Sequence, residues 1–330
     1  MNLNRFVFQA NIRAALLAAV IFVTLPLSFA ASGETFILRG HSAWIGSIVL
    51  SSDEKKALSA SEGDGIRYWD LTARKELAHF EAHHVGNIYA TRGVQFSSDD
   101  LFAVSGGHDK AVAIWNLKTL NLERRLLEHK WAVNIVSISP RGDTILSAGL
   151  GPELILWNWA TGKPICKLAG HEAPYALTSI TFTDGGKKAI STSQDRSIRT
   201  WDLLTCKQLS VIKNKAYKGG QVAIATNSGF AVSLDVDRKT LLVWNINTGD
   251  EIIRMTGHTR DVNALYISAD GKRVISGGED KRLLVWDVGA GTVLKEKLMP
   301  TEITSLAIFR TGTMALVGGK DNNIYQVPLE

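Results

Sequence analysis

Six times along this chain a tryptophan is followed by aspartate or asparagine, and the intervals between the tryptophans barely change. The pairs are Trp69-Asp70, Trp115-Asn116, Trp157-Asn158, Trp201-Asp202, Trp244-Asn245 and Trp286-Asp287, with gaps of 46, 42, 44, 43 and 42 residues. A seventh unit holds Asp321 and places Val327 in the tryptophan slot, 41 residues after Trp286. Gly-His stands upstream of several units, at Gly40-His41, Gly170-His171 and Gly257-His258, with Ala82-His83 and Glu128-His129 as variants. A period of this size means one supersecondary unit repeated, each copy burying its apolar face against its neighbours.

Each unit reads as four short strands. In the sixth, residues 262–267 alternate, 268–271 supply a turn, 272–276 form a second strand and 277–281 turn again. Residues 283–287 are the third strand, 289–291 turn, and 292–297 are the outer strand. Period-two alternation bounded by Gly and Asp turns is the signature of strands.

The Gly-His…Trp-Asp pattern and its period resemble the WD-repeat family, and the match runs from about residue 33 to the C-terminus. The resemblance implies an all-β fold, a seven-bladed β-propeller of four-stranded antiparallel blades forming a single domain over 33–330. The seventh unit stops after its third strand, and residues 34–39 offer a spare strand ahead of the first Gly-His. By resemblance, that strand completes the last blade and seals the ring, pairing edges that would otherwise stay open.

Residues 1–30 read as a secretory signal peptide. Arg5 and Arg13 precede an apolar run from 14 to 27, and Ser28-Phe29-Ala30-Ala31-Ser32 gives a small-x-small site with cleavage expected after Ala30. An uncleaved anchor is the alternative, and a mitochondrial presequence fits less well, since the block is hydrophobic rather than amphipathic and Arg-rich. In the first two cases the remainder crosses the membrane. The expectation is an exported protein of bacterial type, in the periplasm, or else extracellular or anchored at the outer face of the inner membrane.

The formal net charge is +5, of which the first thirty residues carry two positive charges. No Lys/Arg run interleaved with aromatics marks a nucleic-acid groove, so nucleic acid is not an expected partner.

Ser191, Asp195 and Trp201 recur at the offsets of Ser276, Asp280 and Trp286, with His171 and His258 ahead of them, and the second unit offers His83 (or His84), Ser105, Asp109 and Trp115. Ser, His and Asp together suggest a hydrolytic triad. Their repetition, each time with a Trp, argues for structure instead. In the family resembled, the matching positions form a buried hydrogen-bonded chain. The first unit has His41, Ser59 and Trp69 with Gly63 in the Asp slot, and the third has His129, Ser147 and Trp157 with Gly151 there. The fifth has no His and only a displaced Asp237, and the seventh keeps Asp321 without His or Trp. Blades 1, 3, 5 and 7 are therefore expected to be the softer ones.

Most histidines are thereby absorbed by the repeat. No spacing resembles a zinc site, and His83-His84 could bind a transition metal only opportunistically. Cys166 and Cys206 fall at peripheral positions of different blades, which predicts no disulfide between them. Without Cys-x-x-Cys-His there is no covalent haem site. No cofactor is expected.

Function then has to sit where units depart from the repeat. From each Trp to the end of the next inner strand most units run 23 or 24 residues, but Trp69 to Ser97 takes 28 and Trp157 to Thr183 takes 26. Insertions in repeats map to loops, often on the binding face. The loops leading into the blades present Trp44, Tyr89, Arg92, Trp131, Tyr175, Tyr217 and Arg260, residue types that dominate interfaces. Trp44 and Trp131 either face a partner or pack on neighbouring loops. The expected function is a non-catalytic scaffold for one or more proteins, monomeric by itself and touching membrane only through an uncleaved N-terminus. The alternative is a propeller hydrolase or lyase using Arg260, Asp261 and Glu302 near the channel mouth.

Overall fold

A computed structural model gives the structure of the chain, and it describes residues 35–329 apart from 86–87, 90, 214–221 and 226–227. The signal peptide read over 1–30 lies outside the described residues. Seven four-stranded antiparallel sheets follow one another. Blade 1 runs from an inner strand, Ile45–Leu50, through Lys56–Ser61 and Gly65–Asp70 to an outer strand, Lys75–Phe80. Blades 2 to 6 repeat this order, with inner strands Thr91–Phe96, Val133–Ile138, Leu177–Thr183, Val222–Ala225 and Val262–Ile267. Inner strands of successive blades pack side by side, and that of blade 7, Ile303–Ile308, packs beside that of blade 1, which closes the circle.

Closure takes the form the repeat implies. Phe36–Leu38 pairs antiparallel with Ile324–Pro328, in the register Phe36 to Gln326, Ile37 to Tyr325 and Leu38 to Ile324, as the outer strand of blade 7. The first and last described strands thus share one sheet, so opening the ring means breaking a ladder.

Burial falls from the second and third strands, almost wholly enclosed, to exposed outer strands such as Lys207–Lys213. Each seam between blades holds its own apolar cluster, and each Trp of the repeat faces the preceding blade. Trp69 lies in the 7/1 seam, Trp115 in 1/2, Trp157 in 2/3, Trp201 in 3/4, Trp244 in 4/5 and Trp286 in 5/6. Val327 takes that place in the 6/7 seam. The Asp or Asn after each Trp caps the next turn: Asp70 accepts from Ala73 N, Asn116 from Thr119 N, and Asp287 from Ala290 N. A side-chain acceptor two or three residues ahead of a turn N–H replaces a ladder bond the chain has just left.

One expectation is overturned at the rim. Cys166 and Cys206 form a disulfide, with Cα atoms 6.4 Å apart and 40 residues of separation. Cys166 stands on the outer strand of blade 3 and Cys206 in the turn just before the outer strand of blade 4, and face-to-face stacking brings these rim positions within bridging reach. Both side chains also pack against the apolar seam between blades 3 and 4. Treating different blades as distant was the error.

Candidate functional site

The recurring Ser, His, Asp and Trp meet as one chain in each of four blades. Trp286 Nε1–H donates to Ser276 Oγ at 2.8 Å, Ser276 lies 2.7 Å from His258 Nε2, and His258 Nδ1 lies 2.9 Å from Asp280 Oδ2. In blade 4, Trp201, Ser191, His171 and Asp195 repeat this at 2.8, 2.7 and 2.8 Å. In blade 2, Trp115, Ser105, His83 and Asp109 do so at 2.9, 2.8 and 2.7 Å, which selects His83 over His84. Since Ser Oγ accepts from the indole, its O–H donates to Nε2, and the Nδ1–H donates to the carboxylate. Every polar atom of the chain is used, and the seryl oxygens are wholly buried. Such a serine is held on both sides by the scaffold and, fully buried, has no path to a substrate.

Blade 1 corrects the sequence reading. His41 Nδ1 lies 2.6 Å from Asp64 Oδ2 and His41 Nε2 lies 2.5 Å from Ser59 Oγ, which accepts from Trp69 at 2.8 Å. The acid is Asp64, one place beyond the slot held by Gly63. Gly63 and Gly65 adopt φ of +115° and +93° on either side of it, a pair of positive-φ positions that presents the acid one place later in a turn of unchanged length. Blade 1 is thus complete, and the softer set reduces to blades 3, 5 and 7.

In blade 3, Trp157 donates to Ser147 at 2.7 Å and His129 Nε2 reaches the same oxygen at 2.6 Å. No acid completes it, as Gly151 implies. Blade 5 departs furthest. Ser233 Oγ and Trp244 Nε1 are buried with no hydrogen-bond partner among the described residues, and Asp237 is spent on its own turn through Lys239 N and Thr240 N. In blade 7 the Tyr325 hydroxyl donates to Asp321.

Burial keeps four of these imidazoles neutral. It pushes His41 down to about 4 against the pull of Asp64, and His129 down to about 4 with help from Lys167. His171 and His258 are lowered by burial too, opposed by Asp195 and Asp280. Burial alone would raise Asp64, but hydrogen bonds from Arg67 and Ser42 and the charge of Arg67 hold it well below the usual carboxylate range. That arginine layer was missed in the sequence. Arg67 donates to Asp64 at 2.8 Å, Arg125 to Asp109, and Arg199 stands 4.0 Å from Asp195. The only hint was an Arg two residues before Trp69 and Trp201.

The loops leading into the blades surround one mouth of the central channel, a cavity of about 940 Å³. Trp44 lines it and is 39% exposed. Trp131 is 57% exposed and lies over Gly151, where a Cβ would sit 2.2 Å from its Cδ1; its neighbour across that turn, Leu150, lines the cavity. Tyr175, 43% exposed, follows the cis Ala173-Pro174 bond and precedes Ala176, another lining residue. Arg260 is exposed two residues before the lining Val262. The inserted loop of blade 2 forms a small hairpin in which His84 pairs with Tyr89. The side chains of Tyr89 and Arg92, and all of Tyr217, lie outside the described residues.

On the side of blades 5 to 7 the mouth is charged, and most charges are matched. Arg238 meets Asp261 at 3.2 Å, Lys320 meets Glu302 at 2.5 Å, and Arg254 pairs with Asp235. The Lys320 hydrogen bond lowers the Glu302 carboxyl and raises the Lys320 ammonium, so both stay ionised at neutral pH.

Four segments match the family described as WD domain, G-beta repeat: residues 33–70, 74–116, 162–202 and 249–287. Each runs from one blade's outer strand to the Trp-bearing strand of the next, and they end in blades 1, 2, 4 and 6, the four with complete networks. Among curated proteins the chain is 26% identical over 255 residues to the B-type cell cycle switch protein ccs52A of Medicago truncatula, covering 74% of this chain and 50% of that protein. It is 24% identical to autophagy-related protein 16 of Arabidopsis thaliana, covering 72% of this chain and 47% of the relative. It is also 24% identical to the transcriptional corepressor LEUNIG_HOMOLOG of Arabidopsis thaliana, covering 75% and 32%. The chain thus spans half or less of the length of these relatives.

Proposed function

We propose that this chain, which belongs to the WD-repeat family, is an exported, non-catalytic scaffold that holds protein partners on the face formed by its lead-in loops. The observation carrying this reading is the set of large side chains left exposed there. Trp44, Trp131 and Tyr175 each leave 39% or more of their surface exposed on the ring, and exposed Trp and Tyr are the side chains from which interface hot spots are built. Two of the relatives, a cell cycle switch protein and a transcriptional corepressor, are regulators by name. Against a catalytic reading, the repeated triads are consumed by the scaffold, and Glu302 at the mouth is tied to Lys320 as an ordinary ion pair.

Export is supported by two features of independent origin. Residues 1–30 have the three-part pattern of a secretory leader, and the chain's two cysteines are joined. Structural disulfides persist in oxidising compartments such as the periplasm.

The test is the full chain expressed with a C-terminal tag, wild type beside a Trp44→Ala, Trp131→Ala, Tyr175→Ala triple variant. Proteins recovered with the wild type from envelope extract should be lost with the variant while the melting temperature stays nearly unchanged. Equal recovery by both would overturn the assignment of this face. N-terminal sequencing of the same material should begin at residue 31.

A further inference from the structure

The outer edges of blades 2, 3 and 4 differ in charge from the rest of the rim. Over the eleven residues that follow the repeat Trp, at 116–126, 158–168 and 202–212, these edges carry six basic residues against Glu123 and Asp202. The same stretch of blade 1, 70–80, holds two of each sign, and those of blades 5 and 6, 245–255 and 287–297, hold three bases and four acids. We propose that the outer edge of blades 2 to 4, on the side away from the lead-in loops, is a docking surface for an anionic lipid bilayer. Lys118, Lys163 and Lys207 hold it, with the apolar Leu120, Ile165 and Leu204 among them.

Topology gathers these residues. Each outer strand begins at the turn after the Trp-bearing strand and ends at the next lead-in loop, so the turns sit on the opposite side of the ring and farthest from its axis. Every such turn is anchored to its own blade: Trp159 N–H donates to Asp143 O and Leu203 N–H to Lys187 O, both at 3.0 Å. Neighbouring edges are also joined. Arg124 of blade 2 donates through Nη1 to Trp159 O and Ala160 O of blade 3, each at 3.1 Å, and the Cys166–Cys206 bond ties blade 3 to blade 4. Three successive turns thereby form one surface.

The charges at this end are the free ones. Lys167 and Lys213, nearer the lead-in side, are matched by Glu128 and Glu172. Lys118, Lys163 and Lys207 are exposed and make no ion pair among the described residues. Asp202 is turned into its own loop, accepting from Leu204 N and Thr205 N. Leu204 beside it is 91% exposed, more than any other large apolar side chain among the described residues.

Composition favours a membrane over a protein. Protein interfaces are enriched in Trp, Tyr and Arg and depleted of Lys. Here the free cations are all Lys, and the aromatic Trp159 is packed edge-on against Phe102. A bilayer needs no fixed partner geometry: each Lys gains from the anionic surface potential, its long stem reaches headgroups from a curved rim, and Leu and Ile enter the interfacial layer. Docking by this edge leaves Trp44 and Trp131 open on the other side.

The test is sedimentation of the exported full chain with phosphatidylcholine vesicles made with and without phosphatidylglycerol. All variants share one N-terminus, so any contact made by residues 1–30 is common to them. Wild type should bind the phosphatidylglycerol vesicles and be released by salt. Lys118→Glu with Lys163→Glu and Lys207→Glu should lower that affinity roughly tenfold or more, and Leu204→Ser should weaken it while the salt dependence stays. A charge-matched set on blade 6, Lys272→Glu with Arg273→Glu and Lys295→Glu, should lose far less. Melting temperatures should match wild type throughout, since every substituted side chain is exposed. Equal binding to both vesicle types, equal loss in the two charge-reversed variants, or an edge variant that binds like wild type each overturns the proposal. So does a wild type that ignores vesicles; if the edge variant then loses an acidic protein from envelope extract, the surface belongs to a protein instead. The Trp44→Ala, Trp131→Ala, Tyr175→Ala variant should keep vesicle binding, which separates failure here from failure of the lead-in face.

Discussion

Trp286 donates its indole N–H to Ser276 Oγ at 2.8 Å, and the seryl O–H in turn serves His258 Nε2 at 2.7 Å. One hydroxyl therefore satisfies two buried groups that have no other partner. Removing it as Ser276→Ala leaves both orphaned, an expected loss of about 2–4 kcal/mol. The same change in blade 5, Ser233→Ala, removes a hydroxyl that satisfies nothing and should shift stability by about 0.5 kcal/mol or less. Urea unfolding of the two variants measures the contrast. Equal effects would mean that the network contributes nothing to holding a blade.

The disulfide ties blade 3 to blade 4 across the rim, closing a loop of 40 residues. Replacing both cysteines, Cys166→Ser with Cys206→Ser, should cost about 2–4 kcal/mol and lower the melting temperature by several degrees. Rapid labelling of native, unreduced protein by a maleimide would show the bond to be absent and sink this expectation.

Acid should loosen the ring before any carboxylate titrates in the unfolded chain. His41 and His129 are pushed from 6.5 to about 4, and His171 and His258 move the same way. The folded state thus refuses protons that the unfolded state accepts between those values. Stability is whole above about pH 6.5 and falls as pH drops toward 4, by a few kcal/mol for each of His41 and His129. Asp64, Asp109, Asp195 and Asp280, all lowered in the fold, add further loss below the ordinary carboxylate range. Urea midpoints should hold level from about pH 8 to pH 6.5 and decline from there to about pH 5; a profile flat to pH 5 would contradict the burial of neutral histidines.

The closing strand offers a local test. Leu38 is buried in the seam between blades 7 and 1 with Trp69 and Phe309. Leu38→Ala should cost about 3 kcal/mol. Its effect on hydrogen exchange should be greatest at Tyr325 and Gln326, the partners of Ile37 and Phe36. Uniform loss of protection around the ring would show that closure is not local to blade 7.

Some positions were legible in one dimension because they are set by spacing. Ser191, Asp195 and Trp201 keep the offsets of Ser276, Asp280 and Trp286, since strands of one length and turns of one type hold them in register. Asp64 was not legible, because two glycines with positive φ moved it one residue along a turn whose path no spacing reveals. The arginines behind the acids were also missed: Arg67 stands on a third strand and Arg125 on an outer one, so no common offset marks them.

The sequence by itself determined seven units of short strands, because these follow from a local period, and the resemblance those units carry implied the ring, its closing strand and the residues that knit most blades. Tertiary structure alone decided which residues from different blades meet. Stacking brought Cys166 to Cys206 and left Trp44 and Trp131 uncovered. It also gathered Asp235, Glu279 and Glu302 around one mouth. Those relations depend on how far one blade turns against the next, a distance across the ring that no interval along the chain contains.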